Sequence, residues 1–206
     1  MKEDFQTKVI GHVQIKDDLG NVLVDKKNAI HPGNMAIALA RGLSNTSHYQ
    51  IYKMKLGNQG TYVDTSQQIV FRPPNTSGST ANLYNPTYVE VVDDSDAAVG
   101  VGNSVTYTNV PNSTSTRVII TCIIAANEAI NRSTDQALNQ TQNSAEVATN
   151  STYFFDELGL FSAGTGQPSL LNETDELMLS HLVFSPIEHT GNRELTIVYT
   201  LTITVT

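Results

Sequence analysis

The groups that could do chemistry in this 206-residue chain are five histidines, one cysteine and a few clustered carboxylates. His12, His31, His48, His181 and His189 include no pair at i, i+2 or i, i+4, and none has a cysteine close by, so their spacing does not suit a zinc site. His12 and His181 fall on strand-like runs and read as surface residues or as residues satisfied by a hydrogen-bond partner. Asp93-Asp94-Ser95-Asp96 has the clustered oxygens that calcium favours, but lacks the glycine and distal glutamate of an EF-hand loop, and reads as a solvated turn. Glu157 sits among apolar residues, where burial would raise its pKa. With no partner acid or base in view, it reads as a strand-end residue that hydrogen-bonds backbone. Gly100-Val101-Gly102 and Gly164-Thr165-Gly166 precede no helix and so offer no phosphate a helix N-terminus; they are turn glycines. No serine is framed as a nucleophile elbow. The expectation is a protein without catalytic residues, metal or cofactor, and not an enzyme.

The elements that must position these groups are strands. From Glu194 onward, Leu195, Ile197, Tyr199, Leu201, Ile203 and Val205 share one parity, and a threonine-rich set with Val198 takes the other. That alternation predicts a long strand with one apolar face. Because the chain stops on it, the expectation is an all-β core with no shaft, anchor or catalytic domain downstream. Val9–Ile15 and Val22–Val24 flank the turn cluster Asp17–Asn21 and read as a hairpin. His31-Pro32-Gly33-Asn34 leads into a helix over Met35–Leu43, proline suiting its first turn. Met35, Leu39 and Leu43 form the face that must dock on a sheet.

Tyr49–Leu56 predicts a strand whose core face is Tyr52, Met54 and Leu56. Gln59–Ser66 reads as a loop. Gln68–Phe71, Tyr88–Val92 and Ser104–Val110 read as strands, and the nearly continuous apolar run Arg117–Ala126 as a strand covered on both faces. Asn127–Ser151 is rich in Asn, Gln, Ser and Thr without Pro or Gly. It reads as a polar surface insertion with room for a weak helix around Ser133–Gln140, adding little to the core. Tyr153–Phe161, Leu177–Ile187 and the terminal run complete eight to ten strands. The predicted fold is mainly β: a single domain, residues 1–206, built as an antiparallel β-sandwich with one short α-helix and a long polar insertion loop at 127–151.

Composition narrows the function classes. Hydrophobic residues make up 39% and charged residues 16%, so the surface is polar but weakly charged. A net charge of −8 and scattered cations, with Lys26–Lys27 the one adjacent pair, disfavour direct nucleic-acid binding. The single cysteine, Cys122, excludes an intrachain disulfide and fits folding in a reduced compartment. Met1–Lys8 lacks an apolar h-region, so no secretory signal is expected. No apolar run reaches the ~20 residues that span a bilayer, and no membrane partner is expected. The Asn-x-Ser/Thr triplets between Asn45 and Asn172 read as composition, not glycosylation.

Three segments carry a resemblance. The first runs from Gly20-Asn21-Val22-Leu23-Val24 through Asn28-Ala29-Ile30-His31-Pro32 and the helix to Leu56-Gly57-Asn58-Gln59-Gly60-Thr61. The second is Phe155-Asp156-Glu157-Leu158-Gly159-Leu160-Phe161. The third is Leu182-Val183-Phe184-Ser185-Pro186-Ile187 with the terminal strand. In this order they resemble structural proteins of tailed-bacteriophage virions, including collar modules and the attachment ends of tail fibres. The resemblance covers most of the chain apart from the insertion and Pro73–Gly102. It implies a non-enzymatic virion subunit, assembled in the host bacterial cytoplasm, that contacts copies of itself and other proteins of neck, collar, tail or fibre. Two other readings stand beside it: a capsid decoration protein, and a carbohydrate-binding β-sandwich, against which the chain has no tryptophan for a sugar platform.

Overall fold

The two N-terminal runs form the expected hairpin, β1 (Thr7–Asp17) and β2 (Val22–Ile30), in a computed structural model that describes residues 6–44, 49–78, 80–92, 102–126, 128–129, 152–164 and 175–206. The turn is fastened by Asp17, whose carboxylate accepts from the Leu19 and Asn21 N–H groups and from the Asn21 side chain. These bonds, the Asn21 side chain first, hold the Asp17 carboxyl below its ordinary pKa.

Helix α1 (Pro32–Leu43) follows, with Pro32 in its first turn. Its N-cap is His31: ring Nδ1 accepts from Asn34 N–H at 3.1 Å, while Nε2 bonds the Gly78 carbonyl at 2.9 Å. The expected docking face is corrected. Met35 is buried, but Leu39 and Leu43 are exposed, Leu43 at 91%. What docks the helix is its first turn, where Met35 enters the core and Asn34 Nδ2 donates to the Met178 carbonyl.

The remaining strands are β3 (Ile51–Gly57), β4 (Thr61–Val63), β5 (Ile69–Phe71), β6 (Pro86–Val91), β7 (Ser104–Asn109), β8 (Ser115–Ile124), β9 (Thr152–Ser162), β10 (Met178–Thr190) and β11 (Leu195–Val205). Nine of the eleven strands described, β1 and β2 included, form one antiparallel sheet in the order β6-β3-β9-β10-β2-β1-β11-β8-β7. β4 and β5 form a separate two-stranded arm, so the stretch read as a loop at Gln59–Ser66 contains a strand. The large sheet curls into a half-barrel, giving a mainly-β, sandwich-like fold with one helix. β2 is the seam. Val22–Asn28 pair with β1, whereas Ala29 and Ile30 pair with β10, so one strand serves both halves of the curled sheet.

One hydrophobic cluster draws on both halves: Val13, Ile15, Ile120, Cys122, Ile197 and Tyr199 from one, Met54, Leu56, Leu158, Leu160 and Phe184 from the other. In β11 the apolar parity points inward as expected, with Leu195, Ile197, Tyr199 and Leu201 buried; Val205, at the strand end, is exposed. The coverage expected of β8 is corrected. Ile120, Cys122 and Ile124 are buried, but Ile119 and Ile123 on the other face are half-buried and Arg117 is exposed. Antiparallel β8 lies between β7 and β11 with only its inner face against the core. The acidic turn Asp93–Asp96, the possible helix at Ser133–Gln140 and nearly all of Asn127–Ser151 lie outside the described residues. Of that insertion, Ala129 is fully buried in the core cluster, which its polar composition did not foreshadow.

Candidate functional site

Asp156 and Glu157 are adjacent on β9, yet both are buried. Successive strand residues point to opposite faces, so two separate surroundings must satisfy them. Asp156 accepts from Gly60 N–H at 2.8 Å, Thr61 N–H at 2.9 Å and the Thr61 hydroxyl, holding the base of the β4–β5 arm. Burial raises its pKa, and the Thr61 and Gly60 bonds oppose the rise. Glu157 accepts from Tyr84 N–H at 2.9 Å and Asn85 N–H at 2.8 Å, and from Gln59 N–H at 3.4 Å. His181 Nε2 lies 3.1 Å from its Oε2. Asn75 N–H donates to His181 Nδ1 at 2.8 Å, which leaves the imidazole proton on Nε2, aimed at Glu157.

The loop reaches these carboxylates because glycines let it. A Cβ on Gly57 would stand 2.5 Å from the Asn85 carbonyl and from Glu157 Oε1; one on Gly60 would stand 2.8 Å from the Asp156 carbonyl and 3.0 Å from Val183. The three sequence segments singled out above therefore meet in space. Leu56–Thr61 lies over Asp156–Glu157, and His181 and Val183 of β10 close the far side. Glu157 hydrogen-bonds backbone as expected, but from the middle of β9 and not from a strand end. It is not alone, however, because His181 was not legible as its partner from 24 residues away. Every oxygen of both carboxylates accepts at least one hydrogen bond from within the protein. The knot fastens two loops to one strand.

A second buried cluster was not foreseen. Lys53 and Lys55, placed by alternation on the side of β3 away from the core, are fully buried. Glu176 pairs with both, at 2.8 Å from Lys53 Nζ, and the Lys55 ammonium lies 4.3 Å from the Phe161 ring centroid. A third cluster joins the sheet ends. Glu90 on β6 accepts from the Tyr88 hydroxyl and from Asn103 Nδ2, each at 2.7 Å, while Asn103 Oδ1 accepts from Ile123 N–H on β8. Burial first, then the nearby Glu128 carboxylate, pushes the Glu90 carboxyl up to about 7. Burial likewise raises the Tyr88 phenol and the Cys122 thiol. Tyr199 Oη donates to Ser180 Oγ and receives Asn28 Nδ2 inside the sheet.

The other histidines are placed as bonded residues. His12 faces Asp25 at 2.6 Å on the outer surface, and His189 Nε2 bonds the Glu128 carbonyl at 2.8 Å. His48 lies outside the described residues. Among the described residues no three His, Cys, Asp or Glu side chains converge as metal ligands, and no helix is long and apolar enough to cross a membrane. What stands open is surface. The β4–β5 arm exposes Tyr62, Val63, Ile69 and Phe71, with Arg72 over Tyr62 and Lys26 over Phe71. Edge strand β7 exposes Tyr107 at 76%. No family model matches the sequence, and no curated protein and no solved structure matches it.

Proposed function

We propose that this chain is a non-enzymatic structural subunit of a tailed-bacteriophage virion, acting as a symmetric homo-oligomer that contacts other virion proteins in the neck, collar, tail or fibre-attachment region. The observation that carries the reading is the convergence of the three resembling segments on the Asp156–Glu157 knot. Leu56–Thr61, Phe155–Phe161 and the β10 segment are far apart in sequence but form one packed unit. The dense, buried hydrogen bonding of that unit suits a rigid scaffold that works by burying interfaces. Mass spectrometry of purified particles, followed by imaging of labelled particles, tests it. The chain is expected as a stoichiometric component at a site of rotational symmetry, and its absence from the particles would remove the reading.

A carbohydrate-binding module keeps one supporting observation, the aromatic and cationic arm formed by Tyr62, Phe71, Arg72 and Lys26. Titration with neutral and acidic oligosaccharides separates the two readings. Saturable binding lost in Tyr62→Ala would bring the module forward.

A further inference from the structure

The two ends of the nine-stranded sheet are finished differently. β6 starts at Pro86, and Pro86 to Glu90 are buried. β7 itself carries no charge, proline or bulge to protect its edge. Ser104-Val105-Thr106-Tyr107-Thr108-Asn109 contains no charge, proline or glycine, and its ladder with β8 runs through all six residues without a bulge. Thr106 to Asn109 are exposed. Soluble proteins normally charge, shorten, bulge or cover such an edge, because its unpaired backbone groups recruit another strand. Parity adds a second observation. Val105 and Tyr107 point to the same side, and Val105 packs against the core. Tyr107, opposite Val118, stands on that core-facing side yet is 76% exposed. An aromatic ring has been placed where a core residue belongs, and it stands largely exposed.

We propose that β7 is the pairing edge for a second copy of this chain, added antiparallel across a two-fold axis so that two nine-stranded sheets become continuous. This rests on the oligomeric reading above and names its edge. The occupant is a second copy because the strand is self-complementary. In a two-fold pair centred on Thr106, Thr106 meets Thr106, Val105 meets the second copy's Tyr107, and Ser104 meets Thr108. Aromatic on β-branched and hydroxyl on hydroxyl are favourable cross-strand neighbours. Each Tyr107 then covers the other copy's Val105. Neutrality matters in a chain of net charge −8, since a two-fold ladder sets like beside like and any acidic residue would repel its own image. Six residues span roughly 20 Å, short of what a permanent interface buries, so the dimer is reversible and concentration-dependent.

Sedimentation equilibrium of the full chain over a wide concentration range tests this. The wild type is expected to follow a monomer–dimer equilibrium. Thr106→Lys, on the exposed face, is expected to weaken the dimer by roughly tenfold or more while keeping the wild-type melting curve. Mixing Thr106→Lys with Thr106→Glu is expected to restore it as a heterodimer. Thr106→Cys is expected to cross-link on oxidation, whereas Asp18→Cys in the β1–β2 turn is not; the buried Cys122 stays silent in both. A wild type that is monomeric throughout, or a dimer indifferent to Thr106→Lys, overturns the proposal. A β7 dimer that is absent from virions upholds the edge and removes the virion reading instead.

Discussion

Glu157 gathers four donors on two oxygens: three backbone N–H groups from two loops and the His181 imidazole. A carboxylate suits this place because it only accepts. Glu157→Gln keeps the volume but turns one oxygen into an NH2 that must face donors. A buried network broken on one side costs roughly 3–5 kcal/mol. The variant is expected to lose that much in urea unfolding, and the Tyr84 and Asn85 amides are expected to exchange with solvent ahead of the β9–β10 ladder. Wild-type stability in Glu157→Gln would mean that the loops are held by something else. The role of Glu157 as a backbone acceptor is legible in the sequence, since a glutamate inside an apolar strand needs donors. The donors themselves are not, because Tyr84, Asn85 and His181 reach it only once the chain has folded back. Gly57 and Gly60 stand in one of the resembling segments, but what they make room for was not legible there.

Among the elements, β11 has the largest share of the sheet's cohesion, lying between β1 and β8 and pairing with each along nearly its whole length. Leu195, Ile197, Tyr199 and Leu201 are each no more than 1% exposed. Each is worth roughly 1.5–3 kcal/mol when buried, and together they rival the usual margin of about 5–15 kcal/mol. Ending the chain after Glu194 is expected to abolish cooperative melting, read by circular dichroism. A soluble truncated protein with a sharp transition would refute the claim. This strand was legible because a period of two over a dozen residues has one physical meaning. β3 was legible by the same rule only in part. Met54 and Leu56 face the core as predicted, but Lys53 and Lys55 are buried too, because Glu176 and Phe161 supply partners from distant parts of the chain. The α1 face failed for the opposite reason. Met35, Leu39 and Leu43 have helical spacing, but Met35 and Ala38 are the positions that meet the core, while Leu39 and Leu43 are exposed.

The molecule as a whole is closed by a clasp. β6 and β7 are the opposite ends of the nine-stranded order, yet Asn103, just before β7, bonds Glu90 and the Val91 carbonyl on one side and Ile123 N–H on the other. The charged and titratable groups about Glu90 are Tyr88 on its own strand, Cys122 on β8, and Glu128, whose backbone carbonyl is bonded by His189 of β10. None of these supplies a cation directly to the carboxylate, and the protonated acid keeps the contact, since the Tyr88 hydroxyl can accept as well as donate. The folded pKa of about 7 lies above the ordinary value of 4.5, so the folded protein holds this proton where the unfolded chain has lost it. Stability from this group is therefore full below pH 4.5, declines as pH rises toward 7, and is gone above, a change of about 3 kcal/mol. The sign is opposite to that of the usual paired carboxylate. Denaturant titrations of wild type and Glu90→Gln at a series of pH values between 5 and 8.5 are expected to diverge, the variant gaining on the wild type as pH rises. The Ile123 amide is expected to exchange faster in the wild type on the alkaline side, as the clasp between the two sheet ends loosens. Parallel stability curves for the two proteins would show that Glu90 ionises in the folded state as it does in the unfolded chain, and that the closure of the half-barrel does not depend on its proton.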